Sequence, residues 1–238
     1  MTIRGTIPVG TGTFTIKGSV PDAVLFAAHQ VTERLKDVNI EVTGLPQSIF
    51  TPTNEAARKT FYSHNSPELR DIVWEANHES VNLYCEVMLK TLGLSLKNDS
   101  DYDVAVDAVK EYWEAKGLAT EGMRLRDGSG LSSRTNVTSR QMAGILRLIA
   151  NDNTIFPVFY ESLSTGTEGT LKGMFKGTKA FTNIRAKSGS MTGVRSYSGY
   201  AKTTEGKLLS FSIIANNFTC KSSLMRKKME KLMISFCE

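Results

Sequence analysis

The 238-residue chain (26.2 kDa) has room for one large domain or two small ones. Its hydrophobic fraction of 40%, with 19 glycines beside it, lies in the globular range and excludes wholesale disorder. Twenty-nine Lys and Arg against 24 Asp and Glu leave a net charge of +5 without a basic stripe interleaved with aromatics, so no nucleic-acid partner is expected. Residues 11–17 are β-prone. Asp22 then opens a helix in which Val24, Ala27, Ala28, Val31 and Leu35 recur at helical spacing as far as Asp37. Ile40 to Val42 reads as a short strand before the turn residues Gly44 and Pro46. Pro, Thr and Asn cluster over 47–54, which divides the chain into residues 1–50, a small α+β subdomain, and residues 51–238, the main domain.

Ser66 as N-cap with Pro67 after it predicts a helix whose face carries Leu69, Ile72, Val73 and Ala76. The pattern pauses over 77–82. It resumes with Leu83, Val87, Leu89 or Met88, and Leu92, and stops at Gly93. Ala105, Val106, Val109, Tyr112 and Trp113 mark a further amphipathic helix. Between Asp99 and Glu121 stand seven acids and two bases, so that helix carries most of the acidic excess outward. A Gly/Ser-rich loop over 126–136 precedes Thr138, which with Gln141 three residues later forms a capping-box signature. Four glycines over 164–178 read as turns around one short helix. Ile184 to Ala186 leads into Lys187-Ser188-Gly189. Two strands, 197–202 and 207–215, are joined by 203–206, and Ser222 caps a last helix with Met225, Met229, Leu232, Met233 and Phe236 inward. Without βαβ alternation, an α+β fold with an antiparallel sheet flanked by helices is expected.

The longest unbroken apolar run, Ala23 to Ala28, is far below the about 20 residues that span a bilayer. Met1-Thr2-Ile3-Arg4-Gly5 has no apolar stretch behind its Arg and does not read as a secretory signal. The three cysteines, Cys85, Cys220 and Cys237, contain no C-x-x-C. A Cys220–Cys237 bridge is conceivable, with buried free thiols the alternative. His29, His64 and His78 lack metal-ligand spacing, and no metal site is expected.

Three segments carry chemistry: Ser80-Val81-Asn82 between two helices, Asp127-Gly128-Ser129-Gly130-Leu131-Ser132 in the loop, and Lys187-Ser188-Gly189-Ser190 at a strand ahead of a hairpin. Singly each is weak; Ser63-His64-Asn65 is a second S-x-N triplet. In order, they resemble the second and third signatures of penicillin-binding proteins and class A β-lactamases, S-D-N and K-T-G. The wider text (Ser66-Pro67-Glu68-Leu69, Ser80-Val81-Asn82-Leu83-Tyr84, Thr91-Leu92-Gly93 and the Asp127–Ser132 string) resembles the D-alanyl-D-alanine carboxypeptidase/endopeptidases over most of the chain. Val81 stands where Asp is usual and Ser188 where Thr is usual, and the loop after Leu131 has one more Ser than the family pattern.

The resemblance implies a β-lactamase/transpeptidase-like fold, incomplete on its N-terminal side, with residues 1–50 the remnant of an inserted subdomain. It implies a serine-type peptidase that cleaves the D-Ala-D-Ala end of peptidoglycan stem peptides through an acyl-enzyme, binds β-lactams, works in the periplasm or outside the cytoplasmic membrane, and needs no metal or organic cofactor. Ser80 would relay a proton to the leaving amine and Asn82 would fix the substrate backbone. Lys187 would supply positive charge, holding the substrate's terminal carboxylate and favouring deprotonated neighbours. Ser188 would touch that carboxylate, Gly189 would let the substrate lie close, and the Ser190 N–H would form half of an oxyanion hole. Asp127, Gly128, Ser129 and Gly130 would scaffold the loop beside the site.

One family motif is missing. No Ser in the chain has a Lys three residues later, so S-x-x-K, the nucleophile motif, is absent. The expectation is the later part of an enzyme, inactive alone, that self-associates or is completed by the missing N-terminal half. The alternative is a non-catalytic module that binds peptidoglycan peptides or β-lactams.

Overall fold

The computed structural model describes residues 6, 9–10, 12–13, 15, 20–51 and 62–238. The β-prone stretch over 11–17 lies largely outside them. The chain divides into two compact units, Met1–His64 and Asn65–Glu238.

In the first unit, helix α1 spans Ala23–Asp37. Asp22 caps it: its carboxylate accepts the Leu25 N–H at 2.8 Å and the Ser48 hydroxyl at 2.8 Å. The packed face differs from the expected one. Val24 and Val31 are exposed, whereas Leu25, Ala28, Thr32 and Leu35 are half-buried, so the inward stripe is turned by about one residue. Ile40 to Val42 forms no strand: three residues find no ladder partner among the described residues, and propensity alone does not make a strand.

The second unit is built on a three-stranded antiparallel sheet in the order β1 (Ile184–Met191), β2 (Val194–Lys202), β3 (Leu208–Asn216). Alternation along the strands decides what each face meets. Ile184, Ala186, Tyr197, Ala201 and Phe211 turn to one side and pack with Met229 and Met233 of the last helix, α8 (Ser222–Ser235), and with Leu171, Met174 and Phe175. Tyr200 turns to the other side. It packs on Leu146 of α5 (Ser139–Ala150) and on Phe156 and Tyr160 of α6 (Phe156–Ser162). The Tyr200 hydroxyl donates to the Leu146 carbonyl at 2.7 Å, so its polar end is satisfied in the core. Gly199 is needed between the strands: a Cβ there would stand 2.6 Å from the Ala186 Cα.

The other helices among the described residues are α2 (Leu69–His78), α3 (Asn82–Lys97), α4 (Tyr102–Ala115) and the short α7 (Ala180–Asn183), with a 3-10 turn over Gly169–Leu171. Helix α2 starts later than Ser66 and Pro67 suggest. Glu68 is the N-cap, and its carbonyl takes the Asp71 and Ile72 N–H groups. Helix α3 runs through Gly93 instead of stopping there. Gly93 faces Ala105, where a Cβ would lie 2.8 Å from the alanine methyl, so the glycine brings α3 against α4. The capping box at the start of α5 forms with both hydrogen bonds, Gln141 N–H to the Thr138 hydroxyl and Thr138 N–H to the Gln141 side chain. In α8, Met229 and Met233 are buried as expected, but Leu232 is exposed. Cys85, Cys220 and Cys237 are free thiols.

Candidate active site

The sheet directs Lys187 away from the core. Ala186 on β1 is buried against the α8 side, so Lys187, the next residue, projects from the opposite face. There its ammonium donates to the Ser80 hydroxyl at 2.8 Å and to the Ser188 carbonyl at 2.7 Å. Two segments 107 residues apart in sequence therefore meet through one charge-assisted hydrogen bond.

Ser80 reaches that position through its backbone. It sits in the three-residue break between α2 and α3 with φ +57°, a left-handed conformation unusual for a residue with a Cβ. The end of α2 is fixed from behind. His78 is buried; its Nδ1 lies 2.7 Å from the Ser162 carbonyl, its ring stacks on Trp74 at 4.0 Å, and its Nε2 stands 3.6 Å from the Glu168 carboxylate. Asn77 donates to the Ser162 hydroxyl at 2.7 Å. Two residues on, the Ser164 carbonyl accepts the Ala186 N–H at 2.9 Å, immediately before Lys187. One stretch, 162–164, thus holds both the helix end before Ser80 and the strand before Lys187. Asn82, two residues after Ser80, is the exposed first residue of α3.

The electrostatics follow from partial burial. Desolvation lowers the Lys187 amine from its ordinary value, and only ionisation of the neighbouring Cys85 would oppose it. Burial raises the Cys85 thiol, with the Lys187 charge working the other way. The lysine is thus placed to carry charge to a ligand while releasing a proton more readily than a surface amine.

On the strand, Gly189 faces Ser196, whose hydroxyl would stand 2.6 Å from any added Cβ. Ser190 is exposed, and its hydroxyl accepts from Arg195 at 3.3 Å. Arg195 lies directly opposite Ser190 in the β1–β2 register and also donates to Ser222 at 2.9 Å and to the Tyr197 hydroxyl at 3.1 Å.

The loop over 127–132 is organised by two carboxylates. Asp127 accepts the Ser132 N–H at 2.7 Å, the Gly130 N–H at 3.2 Å and the Thr135 hydroxyl at 3.4 Å. Glu86, on α3, accepts the Gly128 and Ser129 N–H groups at 3.0 Å each. Burial works to raise Glu86, but hydrogen bonds from Ser129, Gly128 and Tyr102 outweigh it and hold the carboxyl below its ordinary value. Gly128 lies on the Cys85 carbonyl, with 2.7 Å left between that carbonyl carbon and an added Cβ, so the loop backbone rests directly on α3. Asn82, Glu86 and this loop are thereby tied to one helix.

Sequence reasoning missed three of these residues. Glu86 follows Asn82 by four positions, the spacing that puts two residues on one helix face, and that signal was available. Arg195 would have followed from a hairpin register that starts β2 at Val194 and not at Tyr197. His78 had no signal beyond being an unassigned histidine. Among the described residues, no group of three His, Cys, Asp or Glu is arranged to hold a metal ion, and no helix is long and apolar enough to cross a membrane.

The model of the D-Ala-D-Ala carboxypeptidase 3 (S13) family matches residues 1–236. The chain belongs to this family. It is 29% identical over 228 residues to the D-alanyl-D-alanine carboxypeptidase of Actinomadura sp. (strain R39), covering 88% of this chain and 42% of that protein. In structure it is similar to penicillin binding protein 4 of Haemophilus influenzae, solved with a β-lactam, with a TM-score of 0.80 at 21% identity over 92% of this chain and 51% of that one. It is also similar to the predatory endopeptidase Bd0816 of Bdellovibrio bacteriovorus, with a TM-score of 0.54 at 18% identity over 88% and 56% of the two chains. The fold is the β-lactamase/transpeptidase-like one, with an open antiparallel sheet flanked by helices. The S13 chain spans about half the length of these relatives.

Proposed function

We propose that this S13 chain forms the substrate-gripping and proton-relay part of a serine-type D-Ala-D-Ala carboxypeptidase/endopeptidase acting on peptidoglycan stem peptides outside the cytoplasmic membrane. The observation that carries the reading is the 2.8 Å hydrogen bond from Lys187 to Ser80, with Asn82 two residues on. Ser80 accepts a hydrogen bond from the ammonium and keeps its own O–H to donate, which is what a relay to a leaving amine requires. Lys187 offers its charge to the terminal carboxylate, Ser188 adds a hydroxyl and Gly189 leaves room for the substrate backbone. The Ser190 N–H is the oxyanion donor on this side. Asp127, Gly128, Ser129 and Gly130 hold the neighbouring wall in shape.

Acylation needs a nucleophile, and no Ser here has the S-x-x-K context. The expected result is that this chain alone takes no covalent label from a fluorescent penicillin by intact mass. Label is expected when an S-x-x-K-bearing family segment is supplied with it. Burst release of D-alanine, or a penicillin adduct, from the chain alone would overturn the division of roles.

A second reading is a non-catalytic module that binds stem peptides or β-lactams. It is favoured by the fact that the Lys187–Ser80 contact forms within this chain without the nucleophile. Reversible β-lactam binding with no labelling in the supplemented sample would select it.

A further inference from the structure

The second unit carries a marked charge separation that the site does not use. Asn65–Glu161 holds ten Lys and Arg against fifteen Asp and Glu, a net −5. Ser162–Glu238 holds thirteen against four, a net +9. The excess gathers where α8 packs on the segment over 172–179. Met174 and Phe175 share one core with Met229 and Met233, and the Phe175 N–H donates to the Glu230 carboxylate at 2.5 Å. Segment and helix are therefore fixed side by side.

Around this junction the segment exposes Lys172, Lys176 and Lys179, and α8 exposes Lys227, Lys228 and Lys231, with Lys221 just ahead of it. None of the seven forms an ion pair among the described residues. Glu230, the one acid within α8, is already engaged by the Phe175 N–H. Other lysines of the unit are paired, Lys97 by Glu111, Lys110 by Glu114 and Lys207 by Glu205.

The helix surface is not purely charged. Leu224 and Leu232 are each 47% exposed and stand four residues before and after Lys228, so a Leu-Lys-Leu row runs along the outer face of α8. The inner face is spent on the core through Met229 and Met233. A soluble polyanion would be met by the charges alone. Two exposed leucines flanking a lysine on a flat helix face match the boundary between anionic headgroups and acyl chains, where aliphatic stems sink and ammonium groups stay with phosphate.

We infer that the α8 face, with the lysines of 172–179, is a docking surface for an anionic phospholipid membrane. The unit adsorbs through seven ammonium groups and the Leu224–Leu232 ridge without inserting a segment. Clusters of four to eight Lys or Arg are enough for such adsorption, each lysine near the surface being worth roughly fivefold in partition coefficient.

The test is co-sedimentation of the full chain with sucrose-loaded vesicles of phosphatidylcholine alone or of equal parts phosphatidylcholine and phosphatidylglycerol. Binding is expected on the anionic vesicles only, and is expected to be lost as salt rises from about 0.1 M to about 0.5 M. Lys227→Gln with Lys228→Gln and Lys231→Gln should weaken it roughly a hundredfold. Leu224→Ser with Leu232→Ser should weaken it with no charge change. A control with the same charge loss at the acidic end, Lys97→Gln with Lys110→Gln and Lys116→Gln, should bind as the unaltered chain does. The altered positions are exposed except Lys110, which is half-buried, and equal thermal melting confirms that each variant is folded. Equal binding to neutral vesicles, or equal loss in the control triple, would overturn the assignment. So would vesicle binding that ignores the leucine changes while soluble polyphosphate binds as tightly; that result would make the face a polyanion site.

Discussion

The strand wall and the loop wall of the candidate site are built from different forces. The strand wall, β1 with Lys187 to Ser190, hangs on a continuous backbone ladder to β2 and on a core of Ile184, Ala186, Tyr197 and Met233. The loop wall, 127–132, has little buried apolar surface of its own and is shaped by the carboxylates of Asp127 and Glu86. Backbone ladders and apolar burial do not titrate, whereas carboxylate acceptors do. The two walls should therefore fail under different perturbations, and Ser80 is tied to the strand wall through Lys187.

The strand wall should be the more costly to disturb. Gly199→Ala places a methyl 2.6 Å from the Ala186 Cα, against backbone that cannot swing aside. The expected loss is about 3 kcal/mol, read from the urea midpoint; a loss below about 1 kcal/mol would mean that the ladder yields more easily than its geometry says.

Asp127→Ala comes next. It strips acceptors from two backbone N–H groups and from the Thr135 hydroxyl, and about 2 kcal/mol should go with them. Hydrogen exchange should quicken at Gly130 and Ser132 and stay unchanged at Lys187 to Ser190. Equal quickening on both sides would merge the two walls into one cooperative unit.

Glu86→Gln should cost less, about 1 kcal/mol, because solvent reaches this side chain and screens its charge. Its folded carboxyl is held below the ordinary value of 4.5. The stabilisation it gives is thus present above that value and lost as pH falls through the lowered one. The variant should flatten this part of the acid limb in a stability-against-pH series. An unchanged limb would remove Glu86 from the loop's support.

The smallest effect separates strain from chemistry at Ser80. At φ +57° a Cβ is disfavoured, so Ser80→Gly should be more stable than Ser80→Ala by about 0.5–1 kcal/mol, although neither keeps the hydroxyl. Equal stabilities would show that the left-handed backbone carries no strain there.

How much of this was legible depends on the range of the interaction. The capping box of α5, the β2–β3 hairpin and the buried methionines of α8 follow from local spacing, and they stand as the sequence indicates. The order of S-x-N and K-S-G pointed to a common site before any fold was known. What was not legible came from packing. Gly93 reads as a helix end but is a contact point for α4, and Ile40 to Val42 reads as a strand but finds no ladder. Helix α6 went unread although Pro157 stands at its start. His78 and Ser162 join α2 to α6 across 84 residues, a tie that no local pattern announces.

The most direct test is an NMR titration of this chain with a peptide ending in D-Ala-D-Ala, beside the same peptide amidated at its terminal carboxylate. If Lys187 and Ser188 grip the terminal carboxylate with Ser80 and Asn82 along the peptide, the free peptide shifts the resonances of Ser80, Asn82 and Lys187 to Ser190. The amidated peptide and the Lys187→Gln variant should show no such shifts. Equal shifts from both peptides, shifts confined to other residues, or no binding at millimolar peptide would contradict that grip.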